Sequence, residues 1–238
     1  MALMGAEPAG ELRELLPSGL EMFQKVSSNH SVLDDPKPFE KSEVAAMGPK
    51  DSYLVIGGCG FLGRHIVEQL LARGEQAVAV FDLVQRHHDH NIQFFTGDIC
   101  NPNDLSNALQ KVFIPSYPWT MRLKLDQTQA TCIIHTASPL HGAKPEVFWK
   151  VNVGGTKTII AAAVAASVSK LIFTSTAGVT FSGHEDMIDI DERLPCVTEE
   201  TAHDAYNYTK ALAEKSVLEA NGKDGLYTVA IRPAGIFG

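Results

Sequence analysis

A glycine-rich segment between an apolar run and an amphipathic stretch constrains the fold of this chain more than any other feature. The run Tyr53–Ile56 (YLVI) is typical of a short buried strand, and Gly57–Gly63 (GGCGFLG) follows it directly. The next residues, RHIVEQLLARG, repeat apolar side chains at helical spacing and end at Gly74, which favours a helix C-terminus. A strand, a tight turn and a helix N-terminus present backbone N–H groups and a positive dipole end, which suits phosphate. The segment therefore predicts a site for the pyrophosphate of a dinucleotide.

The glycine spacing satisfies two related patterns, G-x-G-x-x-G and G-x-x-G-x-x-G. The first glycine permits a tight turn, the middle one lets the backbone approach a pyrophosphate, and the last lets the helix pack closely on the sheet. We expect the cofactor loop to comprise Gly57, Gly58, Gly60, Phe61, Leu62 and Gly63.

Two acidic residues follow the next predicted strands. Asp82 ends the run Gln76–Asp82, about 25 residues after the first glycine, where an acid binds the adenosine ribose in dinucleotide sites. A carboxylate there repels the 2′-phosphate of NADP, and the two residues after it are apolar, so we expect NAD rather than NADP. NADP remains the alternative because Arg86 lies only four residues after Asp82. Asp98 either contacts the adenine end or forms a loop.

Apolar strands alternate with helical segments through the rest of the chain, which predicts βαβ units and a parallel sheet. The predicted helices include Pro102–Lys111, Glu146–Ala166 and Ala205–Gly222. The predicted strands are Tyr53–Ile56, Gln76–Asp82, Ile92–Asp98, Thr131–Ser138, Lys170–Val179 and Tyr227–Pro233.

Composition excludes several classes of protein. The net charge of −8 over 238 residues argues against a nucleic-acid partner, and four dispersed cysteines without a CxxC pair indicate neither a disulfide scaffold nor a zinc site. The cluster His87–His90 is expected to be a solvated loop rather than a metal site. Residues 1–50, rich in proline and poor in periodicity, are expected to form a flexible N-terminal extension.

A Y-x-x-x-K pattern at Tyr206 and Lys210 is the candidate catalytic pair. On a helix, residues four apart share a face. A tyrosine with an ordinary pKa near 10 is a poor base at neutral pH, but a nearby ammonium or a nicotinamide cation lowers that pKa. We therefore expect Tyr206 to take a proton from an alcohol while hydride leaves for the cofactor.

The ordered set GGCGFLG, HTASP, VNVGGT, TSTAGV, YNYTK and RPAGIFG resembles the extended short-chain dehydrogenase/reductase superfamily, and within it the 3β-hydroxysteroid dehydrogenase branch. The resemblance runs from about residue 53 to 238. It implies a Rossmann-like, doubly wound parallel sheet over 51–238, with the C-terminal substrate-binding domain largely missing. It also implies oxidation by NAD of a 3β-hydroxyl on a 4α-carboxysterol, with decarboxylation and without a metal.

The resemblance assigns roles to individual residues. Tyr206 matches the general base and Lys210 the lysine that holds the nicotinamide ribose. Thr176 matches the substrate-orienting hydroxyl, with Ser175 as the alternative. Asn152 matches a helix asparagine, either catalytic or structural. The residues expected to line the cofactor are His135, Thr136, Ala137 and Pro233.

Alternatives remain open at this stage. The same fold serves nucleotide-sugar epimerases and dehydratases, and the chain could be a catalytically silent NAD-binding protein. A homodimer and attachment to a membrane through sequence after Gly238 are further expectations. A location in the cytoplasm or on the cytoplasmic face of the endoplasmic reticulum is expected as well, since the dispersed cysteines fit a reducing compartment.

An insertion at 112–129 departs from the family pattern, since connections between helix and strand usually run about 2–6 residues. Its first residue is valine, whose codons all begin GT, and its last is glutamine, one of whose codons is CAG. We therefore hypothesise an unspliced intron, with a lineage-specific surface insertion as the alternative. Either should be poorly packed. Sequencing the transcript across Lys111 and Ala130 tests the hypothesis.

Overall fold

A computed structural model describes residues 51–86, 89, 92–112, 129–140, 142–184 and 187–237. The predicted N-terminal extension, three histidines of the His87–His90 cluster and the middle of the insertion lie outside these residues. The strands are β1 (Tyr53–Ile56), β2 (Val78–Asp82), β3 (Gln93–Thr96), β4 (Cys132–His135), β5 (Lys170–Thr174) and β6 (Tyr227–Ile231). The helices are α1 (Phe61–Ala72), α2 (Pro102–Leu109), α3 (Pro145–Phe148), the π-helix π1 (Trp149–Gly155), α4 (Thr156–Ala165) and α5 (Ala205–Glu219), with a 3-10 turn at Ala177–Thr180.

Within the described residues, six parallel strands form one sheet in the order β3-β2-β1-β4-β5-β6. Ile56, the last residue of β1, lies opposite Phe81 on one side and His135 on the other. The strand order reverses between β1 and β4, and such a switch point opens a crevice at the carboxyl edge of the sheet. The prediction of a doubly wound, Rossmann-like parallel sheet is confirmed.

Successive residues of the central strands enter two different cores. Leu54 and Ile56 pack with residues of α2, α4 and α5 on one face, while Val55 packs with Val67 and Leu70 of α1 on the other. Because helices cover both faces, the strands are continuous apolar runs rather than alternating ones. None of the helices within the described residues is long and apolar enough to span a bilayer.

The predicted elements differ from the structure mainly at their ends. The strands predicted at 131–138, 170–179 and 227–233 are shorter than predicted, because their final residues leave the sheet to form the loops at its carboxyl edge. The strand predicted at 76–82 instead lacks its first two residues and ends at Asp82 as predicted. The predicted helix at 146–166 is continuous, but its middle adopts π geometry, which hydrophobic periodicity does not reveal.

The chain segments that flank the insertion meet at the end of α2. The amide of Ala130 donates to the carbonyl of Leu109 at 3.0 Å, and the Ser52 hydroxyl donates to the carbonyl of Gln129 at 2.6 Å. Val112 is only 1% exposed and lies in the core, so the expectation of poor packing is wrong for this residue. Residues 113–128 lie outside the described part, and the intron hypothesis stays a prediction.

Candidate active site

The glycine loop is shaped by the absence of side chains. A Cβ on Gly63 would clash with the carbonyl oxygen of Gly57, and one on Gly58 would lie 2.7 Å from Val80. Gly57 has φ +81°, and a Cβ there would lie 2.7 Å from the amide nitrogen of Ala137. The loop therefore packs tightly on α1, β2 and the exit of β4. Gly60 is exposed and has only the Gly57 carbonyl near its Cβ position, which leaves its outer side open for a ligand.

Asp82 ties this loop to the end of β2. One carboxylate oxygen accepts the amide of Cys59 at 2.9 Å, and the other accepts the amide of Leu83 at 2.8 Å. Each oxygen keeps a further lone pair that can accept a hydrogen bond from a hydroxyl group. The first turn of α1 contains no acid, and its N-cap, Gly60, forms no side-chain hydrogen bond.

The Asp98 carboxylate forms a hydrogen bond within its own loop and an ion pair with a lysine. Its carboxylate accepts the Cys100 amide at 2.9 Å and lies 3.3 Å from the ammonium nitrogen of Lys150. The backbone hydrogen bond from Cys100 is the main cause that lowers the pKa of Asp98. This is the loop-forming geometry, and contact with an adenine ring stays a prediction.

The end of β4 places Thr136 against the glycine loop and buries His135 in the core. The Thr136 hydroxyl donates to the carbonyl of Ile56 at 2.9 Å, which holds the β4 exit against the glycine loop. His135 is 1% exposed, and its Nε2 lies 3.1 Å from the Thr156 hydroxyl of α4. Burial lowers the pKa of His135 to about 3, so the ring is neutral. The ring belongs to the core beneath the site, and its expected contact with the cofactor stays a prediction.

Tyr206 lies in the first turn of α5, with its ring 5.6 Å from that of Phe148. Burial raises the pKa of Tyr206, a hydrogen bond with Thr176 lowers it, and the charge of Asp204 raises it. Asp204 is also the N-cap of α5 and accepts the Asn207 amide at 2.7 Å.

Lys210 is buried on the same helix. Its ammonium donates to the carbonyl of Thr174 at 2.6 Å and lies 4.1 Å from the centre of the Phe173 ring. Burial lowers the pKa of Lys210 to about 7, and the Glu214 carboxylate acts in the opposite direction. Burial keeps the pKa of Tyr206 above its ordinary value despite the hydrogen bond with Thr176, so the expected lowering of that pKa by the Lys210 ammonium and a nicotinamide cation stays a prediction.

The two hydroxyls after β5 have different partners. The Ser175 hydroxyl donates to Glu214 at 2.5 Å and is buried. The Thr176 hydroxyl accepts the Gly178 amide at 3.1 Å and bonds Tyr206. The geometry therefore favours Thr176 as the hydroxyl that accompanies the tyrosine.

Asn152 is 2% exposed within π1 and connects two parts of the site. Its amide nitrogen donates to the Thr209 hydroxyl at 3.1 Å, and its oxygen accepts the Ser138 hydroxyl at 3.3 Å. Thr209 in turn donates to the carbonyl of Tyr206 at 3.0 Å. These contacts match the structural alternative for Asn152. Short π segments inside α-helices, such as π1, are frequent at functional sites.

Pro233 follows β6, and its carbonyl accepts the amide of Ala177 at 2.9 Å, which places it beside the Thr176 loop. Sequence reasoning missed Thr209, Glu214 and Arg232. Their side-chain partners lie 18 to 57 residues away along the chain, so no local sequence pattern predicts these contacts. The single available signal was the position of Glu214, four residues after Lys210.

The comparisons with known proteins agree with this geometry. The family model of the 3-beta hydroxysteroid dehydrogenase/isomerase family matches residues 54–117 and 119–238. A protein of Candida albicans named sterol-4-alpha-carboxylate 3-dehydrogenase, decarboxylating, is 40% identical over 197 residues, covering 79% of this chain and 51% of that protein. The human protein of the same name is 39% identical over 219 residues, covering 91% and 53%.

A solved structure of Thermus thermophilus UDP-glucose 4-epimerase in complex with NAD has a TM-score of 0.61 and 26% identity, covering 76% of this chain and 54% of that one. The chain spans about half the length of the curated relatives it matches. The match of the family model over most of the chain shows that it belongs to the 3-beta hydroxysteroid dehydrogenase/isomerase family.

Proposed function

We propose that this chain binds NAD and supplies the catalytic residues for oxidising the 3β-hydroxyl of a 4α-carboxysterol, with decarboxylation. The observation that carries the proposal is the hydrogen-bonded pair Thr176–Tyr206 at the carboxyl edge of the sheet that also carries the glycine loop. The names of the Candida albicans and human relatives support the substrate class.

The residues present fit a dinucleotide. Gly60 leaves its outer side open, and the uncapped N-terminus of α1 suits a pyrophosphate. Asp82 keeps acceptor capacity for ribose hydroxyls and would repel a 2′-phosphate, which supports NAD over NADP. The named complex of the Thermus epimerase with NAD supports the same cofactor.

The proposed chemistry assigns one proton transfer to the protein. Tyr206 accepts the proton of the 3β-hydroxyl, and Thr176 holds the substrate oxygen and the tyrosine in register. NAD, when bound, supplies the hydride acceptor. The resulting ketone lies β to the carboxylate, so the bond to the carboxyl carbon can break with its electron pair entering the ketone, releasing carbon dioxide.

Two alternatives make different predictions. Curated dehydrogenases share 37–44% identity with the chain, against 26% for the solved epimerase, which disfavours a nucleotide-sugar substrate. A silent NAD-binding protein would bind the cofactor and turn nothing over.

A sterol substrate would place the enzyme at a membrane surface, in keeping with the cytoplasmic face of the endoplasmic reticulum. Dimerisation is a separate proposal that size measurement in solution tests.

Calorimetric titration of the chain with NAD and with NADP tests the cofactor assignment. We expect tighter binding of NAD, and Asp82→Ala should weaken it by roughly tenfold to a hundredfold, the equivalent of about 1.5–3 kcal/mol. Asp191→Ala, which removes an exposed ion pair with Arg193, is the matched control and should leave binding unchanged. Tighter binding of NADP would overturn the assignment.

Turnover with NAD and a 4α-carboxysterol tests the reaction, with release of carbon dioxide and formation of NADH as readouts. The assay compares this chain with a chain extended to the full length of the relatives. NAD binding without turnover in both would favour the silent alternative.

A further inference from the structure

Glu214 is a buried carboxylate with an unusually complete set of partners. It is 1% exposed and lies on α5. It accepts the Ser175 hydroxyl at 2.5 Å and two guanidinium nitrogens of Arg232 at 2.6 and 3.1 Å, and the Cys196 thiol lies 3.7 Å away. Burial raises the pKa of Glu214, but the hydrogen bonds from Arg232 and Ser175 outweigh burial and hold it below the ordinary value. The carboxylate is therefore ionised and paired.

Two partners of Glu214, Ser175 and Arg232, follow strands whose exits build the candidate site. Ser175 follows β5 and immediately precedes Thr176. Arg232 follows β6 and immediately precedes Pro233, whose carbonyl accepts the amide at the start of the Thr176 loop. The contacts of Glu214 with Ser175 and Arg232 thus each end one residue away from a group expected to meet cofactor or substrate.

Glu214 also shares a helix face with both members of the Y-x-x-x-K pair. Tyr206, Lys210 and Glu214 are spaced four residues apart on α5, so their side chains lie along one side of the helix. The side of α5 that presents the tyrosine is therefore the side that Glu214 fastens to the ends of β5 and β6.

We propose that Glu214 is a positioning residue: by holding Ser175 and Arg232 it fixes the Thr176 hydroxyl against Tyr206. The proposal rests on the proposed role of Tyr206 as proton acceptor. In the alternative, the Glu214–Arg232 ion pair only stabilises the fold. Loss of the Glu214 carboxylate would then leave the Thr176–Tyr206 hydrogen bond unchanged.

Titration of Tyr206 itself separates these two roles without requiring turnover. The chain contains five tyrosines, so labelling with [13Cζ]tyrosine gives five NMR signals, and Tyr206→Phe identifies the relevant one. The test variants are Glu214→Gln, which keeps the size and removes the charge, and Ser175→Ala, which leaves the pair with Arg232 in place. Glu219→Gln, an exposed glutamate at the end of the same helix, is the matched control.

We expect the titration midpoint of Tyr206 to move to higher pH in Glu214→Gln and, to a smaller extent, in Ser175→Ala, because the hydrogen bond from Thr176 is what lowers the pKa of Tyr206. Glu219→Gln should leave it unchanged. An unchanged midpoint in both folded test variants would overturn the proposal, and if Glu214→Gln does not fold, Ser175→Ala decides. A wild-type chain that fails to bind NAD would refute the proposed function while leaving this titration valid.

Discussion

The two halves of the candidate site are built by different means. The glycine-loop half depends on close backbone packing that only glycine allows: a Cβ at Gly57, Gly58 or Gly63 would clash with a neighbouring atom. The tyrosine half uses buried polar side chains that meet across long stretches of chain, such as Asn152 with Thr209 and Ser175 with Glu214. The first half therefore depends on local shape and the second on distant hydrogen bonds, so the two should respond differently to substitution.

Removing the phenol hydroxyl should have the largest effect. In a chain extended to the length of the relatives, Tyr206→Phe should lower kcat by about 10²–10⁴-fold, because the group that accepts the proton is gone. NAD affinity should change little, since the ring still packs near Phe148. Steady-state kinetics and calorimetry measure both quantities, and Tyr208→Phe is the control. Near-normal turnover in Tyr206→Phe would place the proton acceptor elsewhere.

Gly63→Ala tests whether the glycine half depends on shape. The new Cβ would clash with the carbonyl of Gly57, so we expect the free energy of unfolding to fall by about 1–3 kcal/mol or more, with loss of NAD binding. Urea denaturation measures the first effect. Gly154→Ala is the control: its nearest neighbour is 3.9 Å away within a helical segment, and alanine there should be neutral or stabilising. Equal destabilisation by the two changes would contradict the comparison.

Asn152→Ala tests whether the tyrosine half depends on distant hydrogen bonds. The change removes the bonds to Thr209 and Ser138, and we expect about 1–2 kcal/mol of destabilisation together with a lower kcat in the extended chain. Asn103→Ala, at an exposed position of α2, should be neutral. Asn152→Ala with unchanged stability and unchanged kcat would show that these bonds do not hold Tyr206 in place.

His135 provides a pH-dependent test at the boundary between the halves. Its pKa is about 3 in the folded chain against an ordinary 6.5, so between these values the unfolded state binds the extra proton. Stability should therefore fall as the pH drops from 6.5 towards 3, by at most about 1.4 kcal/mol per pH unit from this residue. His135→Leu should flatten this dependence, measured by urea denaturation across the range, whereas the exposed His65→Leu should not. Equal slopes in His135→Leu and wild type would refute the neutral buried ring.

The same division explains what the sequence could predict. The glycine loop, the alternation of strands and helices and the spacing of Tyr206 and Lys210 are local patterns, and they predict the sheet and its carboxyl edge correctly. Choosing between Ser175 and Thr176 required the position of Glu214, which is 39 residues from Ser175 along the chain. The hydrogen bond from Lys210 to a backbone carbonyl and the π geometry around Asn152 depend on packing, so no periodicity encodes them.

The hydrogen bond between Leu109 and Ala130 has a consequence for protein engineering. If 112–129 were absent, Leu109 would precede Ala130 by three residues, and their 3.0 Å contact would be the ordinary bond of a β-turn. The hydrogen bond thus joins the end of α2 to the start of β4 with 112–129 in place, and the entropy cost of closing a loop rises only slowly with its length. The position is therefore suited to carry a reporter peptide or an affinity tag, provided that the buried Val112 is kept.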